Sequence, residues 1–163
     1  MRFAASHSLP LAVFLLLLCT VVSARPLFNY SQKQVLVKAY SLGGYRLAAI
    51  ILQESSACTD MHSRIDVLAC GCGGTHTGTA DYIVGSTVSC SFLDMDWDFS
   101  IRVAAAYLAE CTALFGEDGG LTCYQQGIPK ARTMTKYQLF HSPYLKTIKR
   151  RIEELRHLPL DTQ

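Results

Sequence analysis

Residues 47–58 read LAAIILQESSAC. An unbroken apolar run from Leu47 to Leu52 is followed by one polar residue, Gln53, and then by a carboxylate, Glu54, with two serines behind it. A helix that is apolar nearly all round belongs inside a protein, so this segment is expected to be the central buried helix of a mainly α-helical domain. A carboxyl group at the end of such a helix is an unusual placement. An apolar shell disfavours its ionised form and raises its pKa. That is what a general acid working near neutral pH requires. Ile50, Ile51 and Leu52 supply the shell, and Glu54 is the candidate proton donor. The alternative is a helix-end glutamate standing in water.

Working outward from this helix, residues 31–34 (SQKQ) have the form of a capping box, with Ser31 as N-cap and Gln34 reaching back. A first helix then runs to Gly43 and Gly44, a stop signal, and the second spans residues 45–55. Residues 56–89 lose the helical period and are expected to form an ordered, cysteine-tied loop region with at most a small sheet, to which DYIVGSTVSC contributes short strands or irregular chain. Helix returns with Asp98 as cap and continues to Gly116. EDGG reads as a loop, LTCYQQ as a short helix closed by Gly127, and KARTMT as a connector. The last helix has Ser142 as N-cap and Pro143 at its first position. Tyr144, Leu145, Ile148, Ile152 and Leu155 share one face of it, and Lys146, Lys149, Arg150 and Arg151 lie away from that face. The basic side reads as solvated, or as a contact for an anionic polymer or lipid.

The chain has 163 residues, half of them hydrophobic and 17% charged, which suits one folded domain. A net charge of +2 gives nucleic-acid binding no support. Residues 1–24 combine a basic start, an apolar run and the small residues VSA, the pattern of a secretory signal peptide, with an uncleaved membrane anchor as the alternative. The expected organisation is a signal at 1–24, a domain at 25–157 and a flexible tail at 158–163. The location is exported, either periplasmic or extracellular. Cys19 leaves with the signal. Cys58, Cys70, Cys72, Cys90, Cys111 and Cys123 remain as disulfide candidates, and spacing does not choose their pairing. Cys70, Cys72 and His76 form a C-x-C-x3-H cluster, a poor match to zinc-ligand spacing, so no metal is expected. Asn29-Tyr30-Ser31 is a glycosylation sequon that matters only in a eukaryotic secretory pathway.

Four segments together resemble the lytic transglycosylases of the goose-lysozyme-like superfamily. LAAIILQES is similar to that family's helix ending in a catalytic Glu-Ser, here Glu54 and Ser55. GCGGTHTGTA at residues 71–80 sits where the family has Gly-Leu-Met-Gln and a Pro-Ala-Thr-Ala-like run, with only Gly71, Thr79 and Ala80 in clear agreement. FSIRVAAAYLAECTALFG resembles the family's Asn-Ile-x-x-Gly-x-x-Tyr-Leu helix, with Ser100 and Ala104 in place of Asn and Gly. LTCYQQG resembles its Ala-x-Tyr-Asn-Ala-Gly motif, retaining Tyr124 and Gly127.

The resemblance implies a lysozyme-like domain that cleaves the β-1,4 bond between N-acetylmuramic acid and N-acetylglucosamine in peptidoglycan. One glutamate, here Glu54, is acid and then base, leaving a 1,6-anhydro end without consuming water. It implies supporting roles for Ser55, which orients the acid or touches substrate, for Tyr124, whose phenol bonds the glutamate, and for Gln125, whose amide meets the glycan. It implies no cofactor, peptidoglycan strands as partner, and an envelope-spanning secretion or appendage apparatus as setting. The missing Gly-Leu-Met-Gln turn is the main departure. A disulfide through Cys58, Cys70, Cys72 or Cys123 is expected to pin the turn, the acid or its tyrosine. Three rivals stay open. A goose-type lysozyme would position water with one of Asp60, Asp66, Asp81, Asp94, Asp96 or Asp98. A non-catalytic glycan-binding or structural envelope protein would keep only the fold. A Cys–His nucleophilic enzyme has the residues without a local motif.

Overall fold

The computed structural model describes residues 28–61 and 68–160. The expected signal segment, Cys19, Asp66 and the last three residues lie outside them. The chain is mainly helical, in the order α1 (Tyr30–Ser55), β1 (Ala69–Cys70), β2 (Thr75–His76), α2 (Thr77–Val84), α3 (Cys90–Met95), α4 (Trp97–Gln126), α5 (Ile128–Thr133), α6 (Lys136–Phe140) and α7 (Pro143–Arg156).

The two long spans are hairpins rather than rods. Gly43 and Gly44 leave helical geometry in α1, with Gly44 at φ 63°. The Gln32 side chain then reaches Ser56 O at 3.1 Å, although a straight helix would separate positions 32 and 56 by ~36 Å. Gly116 at φ 74° does the same in α4, where Cys111 and Cys123 come within 5.6 Å (Cα–Cα) and form a disulfide. The second arm of α4 packs closely on the first because Gly120 has no side chain: a Cβ there would lie 2.8 Å from Thr112 Cα. EDGG is therefore not a loop. The chain turns at Gly116 and is helical again through Asp118, Gly119 and Gly120.

The second arm of α1 is the centre of the core, as its composition requires. Leu47, Ala48, Ala49, Ile50 and Ile51 have no exposed surface. They pack against α4 and α7, which bring Ile101, Ala104, Leu121, Leu145, Ile148 and Leu155. A smaller apolar cluster of Cys70, Ala80, Val88, Leu93 and Val103 sits under the β-hairpin and α2–α3.

Several local expectations are corrected. The first helix is capped by Asn29, not Ser31: Asn29 Oδ1 accepts from Gln32 N at 2.8 Å, and Gln32 Oε1 accepts from Asn29 N at 3.0 Å. The capping box exists two residues earlier, Asn being as good a cap as Ser. Asp96 rather than Asp98 caps α4, accepting from Phe99 N. The strands lie at 69–70 and 75–76, while residues 77–84 are helical, buried through Ala80 and closed by Gly85 at φ 75°. KARTMT largely belongs to α5, and a further short helix, α6, precedes α7. In the tail, Leu160 is buried and Leu158 packs on the core, so residues 158–160 are docked rather than loose. The last helix is as expected, with Ser142 Oγ accepting from Leu145 N and Tyr144, Leu145, Ile148 and Leu155 buried. Its basic side is largely paired with nearby acids: Lys149 with Asp118, Arg150 and Arg151 with Glu154, and Arg156 with Glu153.

Candidate active site

Glu54 stands in the last turn of α1, half-buried. One carboxyl oxygen, Oε1, accepts a 2.6 Å hydrogen bond from the Tyr144 hydroxyl at the start of α7. The other, Oε2, lies against Gly74 and has no hydrogen-bond partner among the described residues. Burial raises the Glu54 pKa above the ordinary 4.5, and the Tyr144 hydrogen bond partly offsets the rise. Burial first, then the neighbouring carboxyl, pushes the Tyr144 phenol well above its usual range, so it stays a donor. The site therefore holds a carboxyl group biased toward its neutral form, clamped at one oxygen and unclamped at the other.

The glycine-rich turn closes over this group. Gly71 and Gly74 take positive φ (67° and 57°), and Gly74 N donates to Gly71 O. A Cβ on Gly74 would come within 3.0 Å of Glu54 Oε2, and one on Gly73 within 2.6 Å of Ala104 Cβ and 2.7 Å of the Tyr124 hydroxyl. Glycine is required at both positions because backbone packs where side chains would otherwise stand.

The turn is held from every side. Gly71 N donates to Asp94 Oδ1 at 2.7 Å, Cys72 N to Ser100 Oγ at 2.9 Å, and Tyr124 donates its phenol proton to Gly73 O at 2.8 Å. Ser55 Oγ lies 2.7 Å from Cys72 O and accepts from Cys58 N. Two disulfides complete the frame, Cys58–Cys72 to the end of α1 and Cys70–Cys90 to α3. The link from α1 is itself tight, since Ser56, Ala57 and Cys58 all adopt left-handed φ (50°, 57° and 63°), which L-residues resist.

This geometry revises the expected roles. Ser55 is buried and committed to the turn, so it faces no substrate. Tyr124 does not bond Glu54; it bonds Gly73, and burial raises its pKa. The tyrosine on the acid is Tyr144, which the sequence placed only on an apolar helix face. Its signal was a hydroxyl-bearing ring among aliphatic residues. Gln125 is exposed at the end of α4, where its amide oxygen accepts from Gln126. His76 is exposed on β2. All six cysteines after the expected signal are paired, which leaves the Cys–His alternative without a thiol and the C-x-C-x3-H cluster without thiolates.

No family model, curated protein or solved structure matches this chain.

Of the carboxylates considered for positioning water, four are engaged elsewhere. Asp81 accepts from Val88 N, Asp94 from Gly71 N, Asp96 caps α4, and Asp98 pairs with Lys38 and Arg102. Asp60 is exposed beyond the end of α1.

Proposed function

We propose that this protein is an exported peptidoglycan lytic transglycosylase with a lysozyme-like domain, and that Glu54 is its single acid and base. The observation that carries the reading is the division of labour between the two oxygens of Glu54, with Oε1 fixed by Tyr144 and Oε2 left for a proton. In the reaction, Oε2–H protonates the glycosidic oxygen as the C1–O bond breaks. The muramoyl 6-hydroxyl then bonds to C1 and returns its proton to Glu54. Tyr144 stabilises the carboxylate between the two steps, which lets one group serve twice. No water and no cofactor enter this scheme.

Four of six candidate aspartates being occupied elsewhere favours this route over hydrolysis of the same bond, where a second carboxylate usually positions water. The three disulfides support an oxidising compartment and so an exported protein acting on the wall, periplasmic or extracellular. Local opening of the wall for a secretion or appendage apparatus is the setting that such a small enzyme would serve.

Digestion of purified peptidoglycan by the wild type and by Glu54→Gln, with product masses read, tests this. The expected result is anhydro-muramoyl ends from the wild type and a loss of about a thousandfold in the variant. Reducing ends would instead make the protein a goose-type hydrolase. Equal behaviour of the two chains would leave a glycan-binding or structural protein.

A further inference from the structure

A groove of about 350 Å3 opens between α2, α4 and α5, lined by Gly78, Thr79, Tyr82, Tyr107, Glu110 and Arg132 among others. Its size is that of a small-ligand pocket. Its wall packs, through buried rings, against the residues that frame Glu54: Tyr107 lines the groove, its ring lies 5.4 Å from that of Tyr124, and Tyr124 holds the turn over the acid.

Three features of the lining select a ligand. Tyr82 is 64% exposed, and its hydroxyl is tethered by donation to Glu110 Oε1 at 2.5 Å. An exposed ring tethered at its hydroxyl is a platform for the apolar C–H face of a pyranose. Glu110 is a half-buried acceptor suited to sugar hydroxyls. Arg132 is exposed at the rim and forms no salt bridge among the described residues. An unpaired guanidinium beside an aromatic platform fits a carboxylate bidentately. The Gly78 wall of the groove is open, with no atom within 4 Å of the position its Cβ would take.

We propose that this groove is a distal subsite for an anionic sugar, with the pyranose against Tyr82 and a carboxylate of its substituent on Arg132. In the polymer assigned above, that sugar is a muramoyl residue, whose lactyl arm carries a carboxylate directly or at the end of its peptide. The inference rests on that functional reading for the identity of the sugar.

Calorimetric titration of the full chain in a Glu54→Gln background tests it with three soluble tetrasaccharides. The first is neutral chitotetraose. The second is an alternating N-acetylglucosamine–N-acetylmuramic acid strand stripped of peptide. The third is the same strand with its peptides. Both muramoyl strands should bind about fivefold tighter than chitotetraose, the contribution of one exposed ion pair, and Arg132→Gln should erase the difference. Whichever strand loses more affinity on Arg132→Gln identifies the carboxylate used. Gly78→Leu should weaken all three ligands while leaving thermal stability equal or higher, since leucine is the better helix former. A preference that survives Arg132→Gln, affinities untouched by Gly78→Leu, or no binding of any strand would overturn the subsite. Charge-selective binding by a wild type that never cleaves peptidoglycan would keep the subsite and remove the transglycosylase reading.

Discussion

Two regions close on Glu54 from opposite sides, and they hold it by different physics. From one side comes α7, placed by an apolar stripe. Tyr144, Leu145, Ile148 and Leu155 are buried at helical spacing, and Ser142 caps the start. From the other comes the turn at residues 71–74, which has almost no side chains of its own. Its position is set by polar groups from three other helices and by two disulfides. The helix brings a hydrogen-bond donor to Oε1 of the acid, whereas the turn brings backbone against Oε2. An apolar stripe tolerates small changes by repacking. A turn fixed by directional bonds and positive φ does not.

The largest effect is expected from unpinning the turn. Replacing Cys58 and Cys72 together by serine opens a bridge with a sequence separation of 14 and should cost about 3 kcal/mol of stability, read by denaturant titration. Under the proposed function, peptidoglycan cleavage should fall further than the folded fraction does. An unchanged turnover in the fully folded variant would show that the turn does not depend on this bridge. Next in size is Gly73→Ala, whose Cβ would overlap Ala104 and the Tyr124 hydroxyl, at about 2 kcal/mol. An alanine chain as stable as the wild type would mean that the turn shifts freely.

On the helix side the expected effects are smaller and more specific. Tyr144→Phe removes the hydrogen bond to Glu54 and should cost about 1 kcal/mol of stability. Because that bond lowers the Glu54 pKa, its removal should move the basic limb of the kcat/KM–pH profile upward while reducing kcat. A basic limb that stays in place would separate Tyr144 from the acid.

The smallest effect is the linkage of stability to pH. Glu54 has a folded pKa raised by burial above the unfolded 4.5, so the folded state binds the extra proton. Its stabilising contribution is complete below the unfolded pKa and is lost as pH rises through the folded pKa. Glu54→Gln, which cannot ionise, should therefore gain stability relative to the wild type as pH increases across that window. Melting temperatures taken from acid to neutral pH check the sign, and a constant offset would contradict the raised pKa.

The elements legible in the sequence were those whose burial repeats with the helical period or whose ends carry local signals. The central arm at residues 45–55, the breaks at Gly43–Gly44 and Gly116, the cap at Ser142 and the stripe on α7 all belong to this class. So does the position of Glu54 at the end of an apolar run. The helix at 77–84 was hidden because its Gly and Thr content argues against helix locally, and burial of Ala80 in the smaller cluster overrides that preference. The second arm of α4 was hidden in the same way, since Gly119 and Gly120 look like loop until they are needed for close packing on Leu139 and Thr112. The cysteine pairing was not legible because it depends on which loops meet.

By itself, the sequence determined a mainly helical chain, a buried central helix and a carboxyl group at its end, because periodicity and capping are local and propagate along a few turns. Only the tertiary structure decided that Tyr144, rather than Tyr124, holds that carboxyl, and that Ser55 serves the turn. These are contacts between residues 90 and 17 positions apart in the chain, set by how the helices pack and by which cysteines that packing brings within bonding distance.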